Sequence, residues 1–87
     1  MTREEILDKA KEIITKDRNE QYGEPHDVFD LIAQYWTAYL NMALTPEMVA
    51  EMMMLFKIAR LKHSAKADTY IDIVGYAAIA GELAIKE

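Results

Sequence analysis

Two cations and three carboxylates stand where helical periodicity asks for apolar side chains. Wound at about 100° per residue, residues 45–62 place Lys57 within roughly 20–40° of Ala50, Met53 and Leu61, with Arg60 about 60° away on the same side. Glu51 falls between Leu55 and Ile58, away from any fully polar face. Downstream, Asp68, Asp72 and Tyr76 recur at i, i+4 and i+8 and share a face with Ile79 and Leu83. Ionisable groups on apolar faces are either paired with one another or held for a ligand. In the first case Lys57 and Arg60 neutralise Asp72 and Glu51 as a buried network. In the second they receive an anion. A phosphate suits this set with or without Mg²⁺, because Mg²⁺ takes only one or two carboxylates when phosphate oxygens and water complete its shell. Asp68, Asp72 and Glu51 are the candidate metal ligands. Arg18 and Tyr22, in the polar stretch 17–25, are placed to close the site from a loop.

Other chemistries lack their residues. Cysteine is absent, which removes a thiol nucleophile, disulfides and a thiolate zinc site. There is no Gly-x-Ser-x-Gly elbow and no glycine-rich phosphate loop. His26 and His63 stand apart without a second ligand at metal spacing, so surface or capping roles are favoured. A formal charge of −5 opposes binding to duplex nucleic acid, which needs a basic stripe to displace counterions, while leaving room for a mononucleotide in a local basic pocket. Apolar residues make up 52% of the chain but never gather into a run long enough to cross a bilayer, so no membrane partner is expected. Met1 to Glu5 leads straight into an acidic amphipathic stretch, without the layout of a signal peptide, and a cytoplasmic location follows as the expectation.

The elements that position these residues are all helical. Eighty-seven residues make one domain, residues 1–87, since two cores would leave each half too little buried surface. Thr2 with Glu5 forms a capping-box signal, and Ile6, Leu7, Ala10, Ile13 and Ile14 continue a helical stripe to about Thr15. The pattern breaks over 17–25. It resumes from about His26 to Met42 with Phe29, Ile32, Ala33, Trp36, Tyr39 and Leu40. Thr45 and Pro46 open a third helix reaching about Lys62, and Asp68, as N-cap, opens a fourth that runs nearly to the C-terminus. No alternating β-branched run or hairpin turn signal is present. The expected architecture is a four-helix antiparallel bundle with the third and fourth helices at its centre. Those two are apolar round most of their circumference, which predicts a homo-oligomer, a dimer or higher. Met48, Met52, Met53 and Met54, with Trp36, Tyr35 and Tyr39, fit core or subunit interface. Gly75, costly inside a helix, marks a close approach by a neighbouring element.

Arg18 with residues 22–25 (Tyr-Gly-Glu-Pro), Trp36, residues 44–46 (Leu-Thr-Pro), residues 57–61 (Lys-Ile-Ala-Arg-Leu), and Asp68 and Asp72 with residues 75–77 (Gly-Tyr-Ala) resemble a family of small phage and prophage proteins of unknown function. The latter half is also similar to the nucleotide-modification-associated helical domains of phages and, more distantly, to MazG-type pyrophosphohydrolases. That resemblance implies an oligomeric, nucleotide-associated protein and, in the MazG case, Mg²⁺-dependent cleavage of nucleoside triphosphates. MazG-type enzymes carry Glu-x-x-Glu and Glu-x-x-Asp pairs, whereas Glu47/Glu51 and Asp68/Asp72 are each one residue wider. The leading expectation is therefore binding of a nucleotide or nucleotide-derived small molecule through Arg18, Tyr22, Lys57, Arg60, Asp68, Asp72 and Tyr76. A Mg²⁺-dependent pyrophosphohydrolase and a ligand-free protein–protein interaction module are the alternatives.

Overall fold

In the computed structural model, which describes residues 1–17 and 23–86, every regular element is helical. Helix α1 spans Arg3–Glu12 and runs on into a π-helical turn, Ile13–Asp17. Helix α2 spans Pro25–Leu40, α3 spans Pro46–Leu61 and α4 spans Ala67–Ala84. No strand occurs among the described residues.

The starts of α1 and α3 follow from their capping residues. Thr2 Oγ1 accepts the Glu5 N–H at 3.1 Å while the Thr2 N–H donates to Glu5 Oε1 at 3.0 Å, closing the capping box. That backbone hydrogen bond holds the Glu5 carboxyl below its usual range. Thr45 Oγ1 accepts from the Met48 N–H at 3.3 Å, with Pro46 at the first helical position. Between α2 and α3, Asn41 takes the left-handed conformation at φ 53°, as a short polar side chain can, and the Leu44 N–H donates to Thr37 Oγ1 at 2.9 Å.

Two helix starts differ from the sequence reading. Helix α2 begins at Pro25, whose missing N–H costs nothing at the first position. Helix α4 begins at Ala67 with Lys66 as its N-cap, so Asp68 lies inside the first turn and caps nothing. The backbone turns helical before Asp68 is reached, and the first amides of α4 have no side-chain acceptor at the cap.

The core gathers Phe29 and Ala33 of α2, Val49 and Ala50 of α3, and Tyr76, Ile79, Ala80 and Leu83 of α4, with Ile14, Trp36, Met53 and Met54 packed at its margin. The contact between α3 and α4 is the most extensive in the fold, followed by α2 with α3 and α1 with α4. Helix α3 is not covered on most sides within one chain, because only Val49 and Ala50 are buried along it. The radius of gyration, 13.5 Å, exceeds the ~12 Å of a compact chain of this length. Gly75 meets the expected close approach: a Cβ built there lies 3.0 Å from Ile14 Cγ2, in the π-helical turn.

Candidate functional site

Lys57 and Asp72 meet. Lys57 Nζ lies 2.9 Å from Asp72 Oδ2, with side chains 17% and 30% exposed, so α3 and α4 are joined by a half-buried ion pair. The pair arises because Lys57 follows Met53 on the inner side of α3, and Asp72 precedes Tyr76 by one turn on the inner side of α4. The aliphatic stem of the lysine covers apolar surface while its ammonium reaches the carboxylate. Tyr76, buried, stacks on Phe29 with ring centroids 6.1 Å apart and an interplanar angle of 27°.

The expected buried cluster of Lys, Arg and Asp does not form. Arg60, Asp68 and Glu51 are exposed. Arg60 lies over the Phe56 ring, 5.7 Å from its centroid, and Lys57 approaches the same ring at 5.8 Å. The reason is the angular offset already visible on the wheel: about 60° from Lys57 is enough to carry a side chain from a helix–helix contact into solvent. Glu51 needs no protein partner because Leu55 and Ile58, its neighbours on the helix, are themselves exposed. Among the described residues no group of three or more His, Cys, Asp and Glu is gathered closely enough to hold a metal ion, so one chain does not bring Asp68, Asp72 and Glu51 together. Arg18 and Tyr22 lie outside the described residues.

The space beside the ion pair is small. A cavity of about 10 Å³, lined by Ala10, Ile13, Ile14, Ile71, Asp72, Gly75, Tyr76 and Ile79, holds one water at most. The larger openings are elsewhere. One of about 210 Å³ lies between the π-helical turn, the start of α2 and the end of α4, lined by Thr15, Glu24, His26 and Glu82 among apolar neighbours. Another, of about 240 Å³, lies at the corner between α3 and α4, lined by Arg60, His63, Ser64, Lys66 and Thr69. Periodicity could not have found this corner, since three of its five residues belong to a connection and to a helix cap.

A second feature concerns apolar residues. Leu31, Tyr35 and Tyr39 at one flank of α2, Met42 in the connection after it, and Met48, Met52, Leu55 and Phe56 at one flank of α3, are all exposed, Tyr39 to 88% and Leu55 to 65%. Met53, Met54 and Trp36 join the core margin, so the methionine and aromatic clusters divide between core and open surface. No helix among the described residues is long and apolar enough to cross a membrane.

Comparison with known proteins places the chain among phage sequences. It is 40% identical over 84 residues to the Gene 55 protein of Mycobacterium phage L5, an alignment covering 94% of this chain and 54% of that protein. It is 39% identical over 75 residues to the Gene 55 protein of Mycobacterium phage D29, covering 85% of this chain and 50% of that one. The chain thus spans about half the length of these relatives. No solved structure matches it significantly. A family model for a domain of unknown function, DUF6378, matches residues 5–84, and the chain belongs to that family.

Proposed function

We propose that this domain is a self-associating helical interaction module, in which the apolar flanks of α2 and α3 pack against the same flanks of a second copy. The observation that carries the reading is the pair of exposed stripes. On α2, Leu31, Tyr35 and Tyr39 lie beside the core face, with Met42 in the connection just beyond the helix, while Asp30 and Gln34 occupy the other side. On α3, Met48, Met52, Leu55 and Phe56 form the equivalent flank. Side chains of this size at such exposure leave on the order of 100 Å² each, so the eight expose on the order of 800 Å². A typical monomer leaves an apolar patch of only ~300–600 Å² open, whereas a stable interface takes ~800 Å² from each partner. A twofold contact sets a patch against itself. None of the eight stripe residues is itself charged, and the nearest cations, Lys57 and Arg60, lie over the Phe56 ring at the edge of the α3 stripe.

In the assembly the four helices lie antiparallel with α3 and α4 central, and the Lys57–Asp72 pair fixes α3 against α4. The nucleotide-binding reading, and the Mg²⁺-dependent pyrophosphohydrolase reading that a MazG-like or nucleotide-modification relationship implies, require Lys57 to exchange Asp72 for a phosphate. A melting-temperature screen of the wild type and Lys57→Met with nucleoside mono- and triphosphates, with and without Mg²⁺, distinguishes them: a saturable rise that Lys57→Met abolishes speaks for those readings, and a flat response, or a rise that Lys57→Met leaves unchanged, speaks for assembly without a nucleotide at that pair.

Sedimentation velocity of the wild type and Leu55→Glu tests the proposal. The wild type is expected to sediment as a dimer or higher oligomer at micromolar concentration, and Leu55→Glu as a monomer with unchanged helix content. Leu55 is largely exposed in the single chain, so its substitution spares the fold. A monomeric wild type at about 100 μM, weaker than any stable homodimer, refutes it.

A further inference from the structure

The corner between α3 and α4 is a basic cavity in an acidic protein. Its walls hold Arg60 at the end of α3, His63 and Ser64 in the connection, and Lys66 and Thr69 at the start of α4. None of these five is a carboxylate, although the chain carries 15 acidic residues against 10 lysines and arginines. Asp68 lies in the same first turn but does not line the cavity.

Three observations about this corner converge. Helix α4, 18 residues long, opens here without a side-chain cap; the Thr69 N–H turns back to the Lys66 carbonyl at 3.1 Å, and the Ala67 and Asp68 amides and the positive end of the dipole are left to solvent or to a ligand. Thr69 is 8% exposed, yet its hydroxyl has no hydrogen-bond partner among the described residues. A buried hydroxyl without a partner is unfavourable unless something outside the chain satisfies it. Arg60 is braced over the Phe56 ring at 5.7 Å, an arrangement that orients a guanidinium while leaving its edge donors open.

We propose that this corner binds the phosphoryl group of a small phosphomonoester. A tetrahedral dianion uses donors that arrive from several directions, and here they are a guanidinium, an ammonium, two hydroxyls and helix amides. At about 240 Å³ the cavity is smaller than the ~300–1,000 Å³ that encloses a whole drug-sized ligand, so it takes the phosphoryl end and leaves the remainder in solvent. The site is separate from the Lys57–Asp72 pair, and Arg60 belongs to it. The proposal does not depend on self-association, because binding is read residue by residue and the α2 and α3 flanks do not line the corner.

The test is an amide-resolved NMR titration of the intact protein with inorganic phosphate, ribose 5-phosphate and adenosine monophosphate at constant ionic strength. Saturable shifts are expected at Ser64, Ala67, Asp68 and Thr69, with none from equivalent chloride. Arg60→Ala and Lys66→Ala, both at exposed positions, are each expected to weaken binding about tenfold. Thr69→Val keeps the shape and removes the hydroxyl, and it is expected to weaken binding several-fold; Thr69→Ala serves if the valine perturbs the helix. Lys62→Ala, a nearby lysine outside the cavity, is expected to bind like wild type. Equal affinities for the three ligands identify phosphoryl recognition alone, and a tighter monophosphate identifies a nucleotide, both within the proposal. It is overturned if none of the three saturates by about 20 mM, if Lys62→Ala loses as much as Lys66→Ala, or if both Thr69 variants bind like wild type.

Discussion

Breaking the Lys57–Asp72 pair from either side should cost unequal amounts, and the inequality follows from exposure. Asp72→Asn leaves the Lys57 ammonium in place at 17% exposure, where water replaces the lost carboxylate poorly. Lys57→Met keeps the stem that packs on α4 and leaves the Asp72 carboxylate at 30% exposure, where water reaches it more easily. Exposed pairs are worth about 0–1 kcal/mol, and removing one partner of a fully buried pair costs ~3–5 kcal/mol. This pair lies between those limits. Asp72→Asn is expected to destabilise by roughly 1–3 kcal/mol and Lys57→Met by about 1 kcal/mol, with a coupling of about 1–2 kcal/mol in the double-mutant cycle. In a domain of this size each kcal/mol moves Tm by about 4–8 °C, so the asymmetry is well within reach of thermal melts backed by urea titrations. Half-buried charges are screened less than exposed ones, and the coupling should fall only weakly with added salt. Equal losses from the two single variants, or a coupling under about 0.3 kcal/mol, would mean that both charges are solvated as a surface pair is, and the reasoning from exposure fails.

Two further outcomes follow from local geometry. Gly81→Ala meets nothing within 4 Å and is expected to stabilise by about 0.5–1 kcal/mol, whereas Gly75→Ala, with its Cβ 3.0 Å from Ile14 Cγ2, should lose most of that gain and recover it in an Ile14→Ala background, all read by urea melts. Thr45→Ala removes the acceptor of the Met48 N–H and is expected to cost about 1 kcal/mol in the same assay, while Thr45→Ser should retain most of the wild-type stability.

Local signals in the sequence account for much of the helical framework. Thr2 with Glu5, and Thr45 with Pro46, each supply acceptor and geometry within four residues, so the starts of α1 and α3 could be read before any packing was known. The stripe through Phe29, Ala33 and Trp36 likewise fixed which side of α2 turns inward, because a 3.6-residue period needs only the order of residues. Gly75 announced a close neighbour. Only the packed helices showed that neighbour to be Ile14 in a π-helical turn, since the partner of a glycine is set by an element far away in the chain.

Charge was legible as misplaced, and its pairing was not. Lys57 and Asp72 looked wrong on their wheels for the reason that joins them: each lies on an inner side. Arg60, Asp68 and Glu51 looked similar by the same measure and stand in solvent, because the wheel gives an angle within one helix and says nothing of where the next helix stops. Asp68 lost its capping role when the chain turned helical at Ala67, a choice made by how the connection from α3 delivers the backbone. The basic corner, with Arg60 on one helix, Lys66 at the cap of the next and Thr69 buried beneath them, belongs to no sequence period. Composition and spacing therefore determined that the chain is helical, where most helices start and which faces are greasy. Tertiary structure decided which charges meet, which greasy flanks remain open and where cations surround empty space, because those depend on distances between residues that the linear order leaves free.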